Sequence, residues 1–223
     1  MASRDSETLV KDVYEGDQNF SMNGLRETEG YGTLIRILII AVGNYHFGYY
    51  IGIFNPLADP MLKYTFKIES ESERAAMQGN INMFLTVGAM ISVFFCGKLM
   101  NMFGRIRLIT YIEIGHLLVY ILHCFKSYPL LLLARFLSGV FLSTHATIGT
   151  VAIKEMMPSS RVAHGGVLLY IFLVFFLFLS SFANTVYNND KELIGKNFRV
   201  LLVWPIIICI PRIILMLVYF KFN

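Results

Sequence analysis

Charge is scarce in this chain. Only 15% of its residues are Asp, Glu, Lys or Arg and 56% are hydrophobic, where an ordinary soluble domain carries about 25% charge. So few charges argue against a water-soluble fold. Cysteine occurs three times, as Cys96, Cys124 and Cys209. That odd count without CxxC spacing argues against a disulfide framework or a zinc site and leaves small buried hydrophobes. No basic stripe interleaved with aromatics suggests nucleic acid. The sequence has no Walker loop, nucleophile elbow, HExxH or paired carboxylates, so neither an enzyme nor a bound cofactor or metal is expected.

What is present is apolar length. The mean hydropathy is +0.59, and a transmembrane helix needs about 20 mostly apolar residues. Six apolar runs fall at about 34–57, 77–97, 106–125, 129–153, 165–187 and 200–220. They predict an all-α integral membrane protein with the lipid bilayer as its surroundings. Residues 1–33 form a polar tail with seven acidic and three basic residues, the wrong composition for a transit peptide or a signal-peptide n-region. Asn19-Phe20-Ser21 matches a glycosylation acceptor, which a tail on the cytosolic side would not use. The bundle itself occupies 34–223, with the longest connection at 58–76.

An even number of spans leaves both termini on one side. That side holds ten Lys and Arg residues against seven on the other. The positive-inside rule then places the termini on the cytoplasmic or matrix side; the mitochondrial inner membrane is one location that fits.

Several short patterns stand in order along the spans. The first contains Phe47-Gly48-Tyr49-Tyr50-Ile51-Gly52 and then Asn55. The second ends in Val87-Gly88-Ala89-Met90-Ile91, followed by Gly97-Lys98-Leu99 and Phe103-Gly104-Arg105. The fourth carries Arg135-Phe136-Leu137-Ser138-Gly139 and, further on, Glu155-Met156-Met157-Pro158. The sixth opens with Trp204-Pro205. Gly48-xxx-Gly52 also marks a surface where a second helix can approach closely.

In this order and spacing the set resembles the N-terminal half of the sugar porters of the major facilitator superfamily, over about 43–205. The resemblance implies one six-helix half of that fold, itself a 3+3 inverted repeat. It further implies a charge latch at one membrane face, with Arg105, Glu155 and Arg161 at the matching positions and Arg107 nearby. Arg161 stands one residue closer to Glu155 than the family pattern has it, and Ile106 replaces a second arginine.

The resemblance fails where a sugar would be held. The position after Phe-Gly-Tyr, Asp or Asn in the family, is Tyr50. The positions nearest the family's fifth-span glutamine are Leu169 and Tyr170, and Thr150 and Ala152 replace a proline and a tyrosine before Glu155. A sugar site needs several placed hydrogen-bonding groups, so this half of the site is expected to be degenerate.

Ionisable groups nevertheless remain inside the spans. Glu113 and His116 share a face of the third helix; His46, His145 and Arg212 lie in the first, fourth and sixth. Intramembrane charge points to function by default. A proton relay through Glu113 and His116 is one expectation; a hydrogen-bonded pair facing the bundle is the plainer one.

Three functions follow as expectations. The first is an accessory subunit of a larger membrane complex, with transport lost because one half has nothing to rock against. The second is a homo- or heterodimeric half-transporter moving a hexose or other small solute. The third is a membrane-embedded receptor or regulator.

Overall fold

In a computed structural model, the described residues are 31–157, 162–187 and 191–220. They form nine helices: α1 (Tyr31–Val42), α2 (Tyr45–Tyr64), α3 (Glu71–Phe103), α4 (Arg105–His123), α5 (Tyr128–Met156), α6 (Val162–Tyr187), α7 (Lys191–Lys196), α8 (Phe198–Val203) and α9 (Ile206–Tyr219). Six helical stretches are long and apolar enough to cross a membrane: Gly32–Tyr64, Glu71–Phe103, Arg105–His123, Tyr128–Met156, Ala163–Ala183 and Phe198–Tyr219. The first joins α1 to α2, and the sixth joins α8 to α9.

The ends differ most from the hydropathy reading before the second span. The connection expected over 58–76 shrinks to residues 65–70, because α2 continues through Pro56 and Pro60 to Tyr64 and α3 starts at Glu71. Ser70 caps α3 by accepting from the Glu73 amide, with Glu71 and Glu73 in the first turn where the helix dipole favours acids. Arg74 closes the turn from within, through Asp59 at 2.6 Å and the carbonyls of Ile68 and Glu69. Polar helix thus extends beyond the apolar run. Hydropathy marks only the part suited to lipid.

Two close helix crossings organise the bundle. On α2, a Cβ at Gly48 would strike the backbone carbonyl of Leu173 on α6. On α5, one at Gly139 would strike the carbonyl of Leu85 on α3, and Gly88 of α3 meets Phe136 of α5 the same way. Small residues allow such backbone contact where water supplies no driving force. The first span therefore packs on the fifth, and the fourth on the second. Exchanging spans 1–3 for spans 4–6 turns one contact into the other, the pattern of a 3+3 repeat. The second and third spans are joined by Gly104, whose φ of 77° is open to glycine and strained for other residues.

Both repeats also begin or end in a broken helix. The first span is interrupted at Gly43-Asn44, where tight turns run from Gly43 to Ile40 and from Asn44 to Ala41. The sixth is interrupted at Trp204-Pro205. Outward, α3 and α6 present large apolar side chains such as Phe94 (78% exposed) and Phe178 (66% exposed), surface that water would not tolerate in quantity.

Candidate functional site: a buried charge network

One face of α4 buries Ile109, Ile112, Glu113, His116, Tyr120 and His123, a repeat of three and four residues that forms a single helical stripe. The stripe carries a carboxylate into the centre of the bundle, where Glu113 is fully buried. Burying an isolated charge is costly, and the surrounding helices supply its partners. Arg212 of α9 forms an ion pair with Glu113 through Nη1 and Oε1. His46 of α2 contacts Oε2 through Nε2 at 2.9 Å, the Cys209 thiol lies 3.4 Å from the same oxygen, and His145 Nε2 of α5 stands 3.8 Å from Oε1.

Donor and acceptor roles follow from chemistry. A carboxylate only accepts, so the proton on His46 sits on Nε2. His46 Nδ1 is then left to accept from the Tyr120 hydroxyl at 2.8 Å. Arg212 only donates, so His145 Nε2, 3.0 Å from Arg212 Nη2, is its acceptor.

Arg212 also ties the network to the break in the first span. Its Nε donates to the Ile39 carbonyl at 2.8 Å and its Nη2 to the Ile40 carbonyl at 3.4 Å. These lie in the last turn of α1, where Gly43 turns to Ile40 rather than Ile39 and a cation suits the dipole. Gly43 makes room, since a Cβ there would meet the Arg212 guanidinium and the His145 ring. Asn44 fastens the other side of the break by donating to the Leu169 carbonyl of α6 at 3.1 Å.

The pairing of Glu113 with His116 is not what forms. His116 Nδ1 turns back to the Ile112 carbonyl at 3.1 Å, and its ring stacks on His46 with centroids 3.7 Å apart. Spacing placed both residues on one face, but the carbonyl four residues earlier captures the imidazole. His46, Glu113 and Cys209 do bring ligand-type atoms within 4.8 Å of one another. Arg212 already neutralises the carboxylate, so the chemistry of this set is that of an ion pair rather than a cation cage.

A second buried cation lies along α5. The Arg135 guanidinium sits over the Phe54 ring, 3.5 Å from its centre, and its Nε and Nη1 have no hydrogen-bond partner among the described residues. Tyr50 is close by, fully buried and stacked on Tyr120, so the position after Phe-Gly-Tyr faces inward. His123, which sequence inspection passed over, joins this group and donates from Nδ1 to the Val119 carbonyl at 2.8 Å. Its place on the α4 stripe was the available signal.

The other motif positions have separate tasks. Tyr49 donates to the Leu201 carbonyl at 2.5 Å and meets Trp204 edge-on at 5.3 Å. Gly52 faces Leu177 and Ser180 of α6, whereas nothing crowds Gly97. At one face of the bundle, Arg105 reaches Glu155 with Nε at 3.0 Å and Nη2 at 2.9 Å. Arg107, two residues on, is exposed. Pro158, Arg161 and the Asn19 acceptor lie outside the described residues. Leu169 is buried, and Tyr170 is 68% exposed on α6.

Residues 36–220 match the family described as Sugar (and other) transporter. The chain belongs to this family. No curated protein matches it. Members of the sugar transporter family are transporters rather than enzymes, and the chain is a sugar-transporter-like membrane protein with six spans arranged as half of a major-facilitator fold. Within that fold, the buried Glu113–Arg212 network joins the first repeat, through α1, α2 and α4, to the second, through α5 and α9.

Proposed function

We propose that this sugar-transporter-family bundle does not select a sugar by itself and serves as a protein-contacting subunit of a larger membrane assembly. One observation carries the reading: of the three residues at sugar-site positions only Tyr170 is exposed, and Tyr50 and Leu169 are both buried inside the bundle. Neither offers a hydrogen-bonding side chain to a solute at the bundle surface, where a sugar site requires several.

A polar stripe supports protein contact. Asn55 of α2 accepts from Gln78 and Asn82 of α3, at 3.3 and 3.4 Å, and exposed Thr86 bonds the Asn82 carbonyl. Asn82 lies five residues inside the apolar run that begins near residue 77, about 8 Å at the helical rise of about 1.5 Å per residue. Polar groups at such depth face protein or a water-filled cavity rather than lipid. The lean of positive charge toward the termini further suits termini on the cytoplasmic or matrix side.

The stripe also favours a second reading. With a second bundle, on whatever chain it lies, Asn82 and Thr86 would line a solute path between the two. Liposomes containing only this chain separate the first reading from the homodimeric form of the second. Flux of a labelled hexose equal to that of empty liposomes supports the first. Saturable flux that disappears in Asn82→Leu establishes the second.

A further inference from the structure

We propose that Glu113, with His46, is a proton-binding site at the centre of the bundle, and that its occupancy decides whether Arg212 holds the break in the first span. The proposal is independent of whether the bundle selects a solute.

A clamp alone would need only a carboxylate and a guanidinium. This centre has more. His46 from α2 contacts the carboxylate at 2.9 Å and Tyr120 at 2.8 Å. His145 from α5 lies 3.8 Å from the carboxylate, and His116 from α4 is stacked on His46. Cys209 and Arg212 face it from α9, and the Tyr45 ring of α2 lies tilted against His46, centroids 3.9 Å apart. Imidazoles are the side chains that exchange protons near neutral pH, and buried ionisable groups inside spans mark proton relays. His46 is bonded on both ring nitrogens, to a hydroxyl on one side and a carboxylate on the other. That geometry passes a proton by exchanging tautomers.

The step balances simply. His46 releases its Nε2 proton to Glu113 Oε2 and takes one at Nδ1 from Tyr120, and Tyr120 regains one from a hydronium ion, so the Nε2–H bond breaks as the Nδ1–H bond forms. One O–H bond forms on Glu113, nothing is oxidised or reduced, and the charge of the cluster rises by one. Arg212 then loses its anion while still bonded to Ile39 and Ile40. The change is felt first at Gly43-Asn44, the interruption of the span that Arg212 caps.

Infrared difference spectra, acid minus neutral, test this on the protein in lipid nanodiscs. The wild type is expected to gain the carbonyl band of a buried protonated carboxyl, and Glu113→Gln to lose it. Amide exchange over residues 41–48, corrected for intrinsic rate, is expected to quicken on acidification in the wild type alone. If Glu113→Gln does not fold, the neutral pair Glu113→Gln/Arg212→Met carries both readouts. No acid-induced band in the wild type, the same band in the variant, or equal exchange in both overturns the proposal.

Discussion

The hydroxyl of Tyr49 donates to the Leu201 carbonyl, 2.5 Å away, at a place in the sixth span where the backbone has no helical donor for it. Helical pairing would draw that donor from residue 205, and residue 205 is proline, which has no N–H. Two motif positions separated by 152 residues are therefore one device: the tyrosine of the first span completes the broken sixth. Trp204, edge-on to Tyr49 at 5.3 Å, packs the same joint.

Tyr49→Phe keeps the ring and removes the donor. It should lower stability by about 1–3 kcal/mol, the cost of a buried carbonyl left unpaired, read as a lower melting temperature in detergent. Trp204→Phe in the same background should cost additional stability through packing alone.

Gly48→Leu and Gly139→Leu each place a side chain against a backbone carbonyl of the neighbouring span. Backbone cannot step aside as a side chain can. Each variant should lose about 3 kcal/mol, the upper end for overpacking, and run as a broadened peak in size exclusion. Gly97→Leu, with nothing near it, should behave like the wild type.

Arg212→Met leaves Glu113 buried without its cation and should cost about 3–5 kcal/mol. Adding Glu113→Gln removes the stranded charge and should recover most of that loss. Denaturation of the two variants side by side measures the difference.

Glu155→Gln should cost far less. Arg105 and Glu155 are 35% and 26% exposed, so water screens the pair and its removal should lower stability by no more than about 1 kcal/mol. A double-mutant cycle with Arg105→Gln isolates the pair; a coupling indistinguishable from zero would remove any latch strength from it.

The spans were legible because lipid imposes one rule on every residue facing it, and Phe94 and Phe178 obey it openly. Gly104 stands between the second and third apolar runs, and its backbone is one that few residues but glycine adopt. The membrane helices' polar extensions were not, since Ser70 and Arg74 build the 65–70 turn by capping and hydrogen bonding, outside the reach of hydropathy. The charge network was half legible. Glu113, His46, His145 and Arg212 stood out as charges in apolar runs, but their pairing crosses four spans, and local spacing pointed to His116 instead. Gly43 carries no signal of its role in its own span. Its task appears only when Arg212 is seen to pass beside it.

Photocrosslinking from Asn82 in the native membrane tests the central claim most directly. An amino acid with a photoreactive side chain at that position is irradiated, and the adducts are identified by mass spectrometry. We predict a defined adduct with a different protein chain, formed in the same place by probes at Thr86 and absent from probes at Phe94. Adducts with lipid alone, or only with a second copy of this chain, would contradict the account.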